Sequence, residues 1–167
     1  MATFNLTKAA NDTAEPELME EGWYKMRLSK DPKEEDNSAK RTNPADPKAG
    51  TNLVLRMTSM SDVPEFNGRM FTVWLPIPKP GDSDQYTQGQ TVEDAKIDRI
   101  AAHVDAFTGD TLEGDTFDLS QGMMAYFEVI KTLDRNGTKM VNDIRPFSIP
   151  KSIEQYEAEQ EDVLADY

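Results

Sequence analysis

Residues 22–29, GWYKMRLS, alternate without a break: Tyr24, Met26 and Leu28 fall on one side, Trp23, Lys25 and Arg27 on the other. A two-residue period is the pleat of a half-buried β-strand, so one face of this segment must meet a core and the other solvent. Four more segments read as strands. In 52–60, Leu53, Leu55 and Met57 point inward and Val54, Arg56 and Thr58 outward; in 68–75, Phe71, Val73 and Leu75 share one face, Thr72 and Trp74 the other. Segments 123–133 and 138–147 flank Arg135-Asn136-Gly137. Asn-Gly between two such runs predicts a type I′ hairpin turn, since both residues tolerate positive φ.

Helical spacing occurs once in the middle of the chain, between the third and fourth strands. In TVEDAKIDRIAAHVDAFTG, Ile97, Ile100, Ala101, Val104 and Phe107 form a stripe, with Thr91 or Asp94 to cap its start and Gly109 its end. The stripe is expected to pack on Tyr24, Leu55, Phe71 and Phe127. His103 adjoins it without any Ser or Cys nucleophile motif, so a surface or half-buried structural histidine is expected there. The order β-β-β-α-β-β predicts an all-β fold, a β-barrel with one helix, and specifically the five-stranded Greek-key OB-fold. SH3-like barrels lack the long helix, and ferredoxin-like folds need a second one.

Three connections are long. Residues 30–51 hold five bases, five acids and three prolines with almost no apolar side chain; a loop of this length is functional or disordered. Residues 76–90 are proline-rich, and 108–122 are rich in turn formers.

Charge divides the chain further. It carries 31 acids and 18 bases, a net of −13. Residues 1–21 account for −4 and residues 151–167 for −5, which leaves −4 on 22–150. Three parts follow: an N-terminal extension 1–21, an OB-fold core 22–150 and a flexible acidic C-terminal tail 151–167. Like charges and few apolar residues predict a mobile tail or a frayed helix. The extreme N-terminus lacks the apolar run of a secretory signal, and no stretch of about 18 apolar residues predicts a membrane span.

The composition narrows the chemistry. There is no cysteine and one histidine, so thiolate nucleophiles, disulfides and Cys- or His-rich metal sites are excluded. GDTLEGD lacks the Lys-Ser/Thr of a phosphate loop, and Asp110, Glu113, Asp115 and Asp118 lack calcium-loop spacing. A non-enzymatic chain with no cofactor and no metal is the expectation.

What the strand faces do offer is cations beside aromatic rings. Trp23, Lys25 and Arg27 share the outer face of the first strand, with Arg56 on the second, and Trp74 on the third with Arg69 at its start. Tyr126 and Lys131 are assigned to the fourth strand, Lys139 and Arg145 to the last, and Arg135 to the hairpin tip. Lys40 and Arg41 of the 30–51 loop are placed to clamp over these faces. Single-stranded nucleic acid suits such a surface, because bases stack on rings and phosphates pair with cations. The competing structural reading has Trp23 and Trp74 covering core edges beneath the loops.

FNLTKA, EGWYKMRLS, FNGRMFTVWL, the helix running into AFTG, and QGMMAYFEVIKTLDRNGTKMVNDIRPF together resemble phage-encoded OB-fold single-stranded DNA-binding proteins. The resemblance covers most of the chain. It implies sequence-independent binding in phage DNA replication or recombination, within the cytoplasm of the bacterial host and away from membranes. An acidic tail in that plan recruits replication or recombination proteins, here through Glu157, Glu159, Glu161, Asp162, Asp166 and the terminal Tyr167. Apart from the resemblance, the tail's carboxylates are expected to sit among the basic strand faces when DNA is absent and so to compete with it. Some such proteins end in Phe rather than Tyr, which leaves the tail's partner open. The sequence also leaves open assembly as a homodimer. Two other functions fit the acidity: a protein-interaction or DNA-mimic module acting on a host enzyme, and a virion structural protein.

Overall fold

A computed structural model of the chain describes residues 17–165. Its framework is β1 (Gly22–Leu28), β2 (Lys33–Asp36), β3 (Thr51–Met60), β4 (Met70–Pro76), the short hairpin β5 (Tyr86–Thr87) and β6 (Gln90–Thr91), α1 (Val92–Thr108), β7 (Met124–Leu133), β8 (Met140–Ile144) and α2 (Ile153–Ala165). β1 pairs antiparallel with β3 on one edge and β7 on the other; β3 pairs onward to β4, and β7 to β8. β2 follows β1 along the same edge of β3: Leu28 faces Met57, and Lys33 faces Val54. The four residues between Leu28 and Lys33 thus oppose only two on β3, a bulged break in one long strand.

The alternation of the sequence sets the core. Met26, Leu28, Leu53, Leu55, Met57, Phe71, Val73 and Leu75 are buried as expected, together with Ala125, Phe127 and Val129 of β7. Val54, expected to face outward, is buried as well, flanked across the ladders by Lys33 of β2 and Trp74 of β4. Thr91 caps α1 by accepting the Asp94 N–H at 3.1 Å, and Gly109 ends it at φ 78°. The buried helix face includes Val92, Lys96, His103, Val104, Ala106 and Phe107. It is rotated from the expected stripe, so Ile97 is exposed and His103 is not at the surface. His103 is only 2% exposed. Its Nδ1 lies 2.7 Å from the Arg99 carbonyl, and its ring lies 5.9 Å from that of Phe127. Phe107 meets Phe127 at 5.7 Å, so α1 covers one end of the sheet's core.

The sheet is open. β4 and β8 touch but share no ladder, and a closed barrel is not formed. Residues 17–20 bridge the seam instead. The Met19 N–H donates to Asn142 Oδ1 at 2.7 Å, Asn142 Nδ2 returns a bond to the Met19 carbonyl at 3.0 Å, and Arg69 Nη2 donates to the Glu17 carbonyl at 2.6 Å. Met19 itself is 0% exposed, inside the core. The end of the expected extension 1–21 is therefore part of the packed sheet, while residues 1–16 lie outside the described residues.

Further departures have local causes. The 30–51 loop is ordered by β2 and by Asn37, whose side chain accepts from Gly50 N–H and donates to the Lys48 carbonyl. The 76–90 segment folds onto α1 through a buried ion pair, Lys96 Nζ to Asp82 Oδ2 at 2.6 Å. Burial alone would raise the Asp82 pKa, but bonds from Lys96 and the Lys79 N–H hold it below the ordinary value. Between β7 and β8 the turn is not type I′: Gly137 has φ 67° and Asn136 does not turn positive. The Asp134 carboxylate instead accepts from the N–H and hydroxyl of Thr138, each at 2.9 Å, and Gly137 N–H bonds the Asp134 carbonyl. The expected acidic tail is a helix packed on β7. No helix among the described residues is long and apolar enough to cross a membrane.

Burial pulls the His103 pKa down to about 4. The unfolded chain binds this proton near pH 6.5 and the folded one only near 4, so stability is fully present above pH 6.5 and declines as pH falls towards 4. The loss attributable to His103 reaches about 3 kcal/mol. Urea unfolding of the wild type and His103→Gln at neutral and mildly acidic pH should show the smaller decline in the variant.

Candidate nucleic-acid interface

The face opposite the core belongs to the odd-numbered residues of β1 and the even-numbered ones of β7. Register aligns them in rows: Lys25 lies between Met60 and Tyr126, Arg27 between Thr58 and Met124, and Trp23 beside Glu128. Pairing of β3 with β4 extends this face through Arg56 beside Thr72 and Val54 beside Trp74. Trp74 is 53% exposed and sits four residues along from the Thr58–Arg27 row, about 14 Å at strand rise.

Trp23, Lys25, Arg27 and Tyr126 thus form one cluster. Lys25 Nζ lies 5.9 Å from the Tyr126 ring centroid, and Arg27 is exposed with no partner among the described residues. α2 lies against this cluster. Tyr156 stacks on Tyr126 with centroids 3.8 Å apart and planes 14° from parallel. Lys151, whose backbone bridges to Tyr126, holds its ammonium 4.3 Å from the Trp23 centroid and pairs with Glu159 at 2.6 Å. The Lys151 hydrogen bond keeps the Glu159 carboxyl below its ordinary pKa. Burial, then the neighbouring Tyr156 and Glu157, raise that of Tyr126.

Ser152 starts this helix by accepting the Gln155 N–H at 3.1 Å, the first half of a capping box. Its last turn carries no base, and Glu161 and Asp162 face the negative end of the helix dipole there. The helix is therefore pinned at its start and weakly held at its end. Val163 and Leu164 are exposed beside those acids. Asp166 and Tyr167 lie outside the described residues.

Other expected site residues sit elsewhere or are engaged. Lys131 is five residues from Tyr126, so the pleat turns it away from that face, and it pairs with Glu20 at 3.3 Å. Arg69 donates to the carbonyls of Glu65 and Glu17 in the seam. Arg41 is tied to Asp46 within its own loop at 2.9 Å, so it does not clamp the strands, and Lys40 is exposed in the same loop. Arg56 pairs with Glu35 at 3.0 Å, on the strand that the sequence analysis missed, and Arg145 pairs with Glu128 at 2.8 Å. These exposed pairs are worth little energetically and open easily to a phosphate. Arg135 and Lys139 are exposed at the β7–β8 end, away from Tyr126 along β7. Neither Tyr156 nor Lys151 is among the site residues expected from the sequence, because a mobile tail or frayed helix gives them no fixed place; Ser-x-x-Gln at 152–155 is the signal that marks the helix start.

Among the described residues, no group of three or more His, Asp or Glu side chains is placed to hold a metal ion. A shallow groove of about 500 Å³ at the seam is lined by Met19, Arg69, Met70, Phe71, Met140 and Asn142, with no paired acid and base for catalysis. The arrangement can stack flat rings and pair with anions. No protein-family model, curated protein or solved structure matches the chain.

Offset stacking of two aromatic rings contributes about 1 kcal/mol beyond area burial. Tyr156→Ala should therefore speed amide hydrogen exchange along α2 by roughly fivefold while leaving β1 and β7 protected. Unchanged exchange in α2 would show that the stack does not hold the helix.

Proposed function

We propose that this chain is a sequence-independent single-stranded DNA-binding protein of phage replication or recombination, and that α2 is its competing, partner-recruiting tail. The observation that carries this reading is the Tyr126–Tyr156 stack on a face shared with Trp23, Lys25 and Arg27. The acidic helix places a flat ring on Tyr126 and the Glu159 carboxylate on the Lys151 ammonium over Trp23, which are the two kinds of contact a nucleotide would make there. The strand order β4-β3-β1-β7-β8, with a helix before β7 and contact between β4 and β8, supports an OB-like barrel whose seam residues 17–20 fill.

Binding on this reading is an exchange. Bases displace Tyr156 from Tyr126 and cover Trp23 and Trp74, while phosphates take Lys25, Arg27 and the cations released from Glu35 and Glu159. The freed helix then offers Glu157, Glu159, Glu161 and Asp162 with Val163 and Leu164 to basic, apolar surfaces of replication or recombination proteins. Nothing here asks the core to be strongly basic, because stacking carries affinity that phosphate pairing alone would not.

Titration with poly-dT should quench Trp23 and Trp74 fluorescence, and affinity should fall with salt. Removing residues 154–167 should tighten binding by about 5- to 30-fold, the reciprocal of a docking free energy of about 1–2 kcal/mol from one stack and one ion pair. Absence of quenching and of gel retardation would refute the DNA reading, and equal affinity without the tail would refute the competition.

A further inference from the structure

Arg99 projects from the middle of α1 with neither a hydrogen bond nor an ion pair to its guanidinium among the described residues. Its Nε is sealed from solvent and unpartnered, while its terminal nitrogens are not sealed. Burial without a countercharge lowers its pKa. The group facing it is Phe147, whose ring centroid lies 5.9 Å from Cζ.

Phe147 is unusual in its backbone. The Ser148 N–H and hydroxyl both bond the Arg145 carbonyl, at 3.2 and 2.8 Å, closing a turn over Arg145–Pro146–Phe147–Ser148. Proline at the second position and φ 62° at the third describe a type II turn, which calls for glycine where Phe147 stands. A bulky side chain at positive φ is strained, and such strain concentrates at ligand-contacting positions. The ring gains little packing in return, since it is 76% exposed. Arg99 lies over the ring, and most of the side chain is left to solvent. Before this turn, the Arg145 N–H bonds the Glu128 carbonyl; after it, Lys151 bridges to Tyr126. The turn therefore borders the strand that carries Tyr126.

We propose that Arg99 and Phe147 form a further nucleotide subsite, in which a base of single-stranded nucleic acid stacks on the exposed ring of Phe147 and a phosphate pairs with the terminal nitrogens of Arg99. The inference rests on the single-strand reading above and extends the bound strand from Tyr126 past the edge of β7. Stacking explains why an aromatic ring is kept exposed at a position that favours glycine, and a phosphate supplies the anion that the half-buried guanidinium lacks.

Phe147→Gly separates a binding role from a structural one, because glycine relieves the turn. The variant should unfold at an equal or higher temperature yet bind poly-dT about 5- to 100-fold more weakly, the loss expected for one stacked base. A short oligo-dT of about 4 nucleotides, seated at Tyr126, should bind wild type and variant alike. Arg99→Gln should reduce the slope of log affinity against log salt by about 0.7, the share of one phosphate on a single strand. Wild-type and Phe147→Gly proteins binding poly-dT equally would overturn this subsite and leave the DNA reading standing. If the wild type binds no poly-dT, both fall. Loss of a glutamate-rich peptide rather than poly-dT in Phe147→Gly would make the site a protein contact and overturn the proposal equally.

Discussion

Everything on the candidate interface depends on the register of β1. It is paired on both edges, with Met26 facing Ser59 on one side and Ala125 on the other. Met26 and Leu28 are fully buried, so a slip of one residue would put Lys25 and Arg27 into the core and eject both apolar side chains. Placing two cations there without partners would cost far more than any surface interaction could recover. The core thus holds Trp23, Lys25 and Arg27 in a fixed row against Tyr126 before any ligand arrives. A surface organised in this way loses little conformational freedom on binding.

The same logic explains the seam. An open sheet leaves the edges of β4 and β8 with unpaired backbone groups, which are a liability if exposed. Asn142 answers one edge by presenting its side-chain amide to Met19, using donor and acceptor together as a backbone peptide would. Arg69 answers near the other by donating to the Glu17 carbonyl. Met19 then supplies the apolar side chain that plugs the gap. Its burial makes Arg69 part of the fold's closure and removes it from the set of cations free for a phosphate.

What could be read from the sequence was what periodicity encodes. Facing in β1 and β4 followed from alternation, as did the inward residues of β3, and the ends of α1 from Thr91 and Gly109, because those signals are local. Val54, expected outward, is buried, because it lies between β2 and Trp74. β2 was illegible, since Lys33–Asp36 has no apolar residue and is held only by its ladder to β3. Met19 was hidden for a similar reason: two apolar residues, Leu18 and Met19, between acids have no period. The buried face of α1 keeps Ile100, Val104 and Phe107 of the expected stripe but turns Ile97 out and takes in Lys96 and His103, which are polar by type yet buried by partners, Asp82 and the Arg99 carbonyl. In the site, Trp23, Lys25, Arg27 and Tyr126 came together as their alternation implied. Lys131 did not, although counting five residues from Tyr126 already places it on the other face. Whether a cation is engaged depends on distant chain, as with Arg56 and Glu35, and no local pattern encodes that.

Charge takes a different meaning once α2 is seen in place. Nine of the thirteen excess negative charges lie in residues 1–21 and 151–167, and in the second group Glu154, Glu157, Glu159, Glu161 and Asp162 are wound into a helix packed on β7. The helix meets that face through one aromatic stack and one lysine shared between Trp23 and Glu159. Both are modest interactions, and the last turn works against the helix dipole. A contact of this strength holds the helix in place without making it a permanent part of the sheet. The acids of this helix are therefore held near the cluster by a stack and a single ion pair, Lys151 with Glu159, and not by contacts to Lys25 or Arg27.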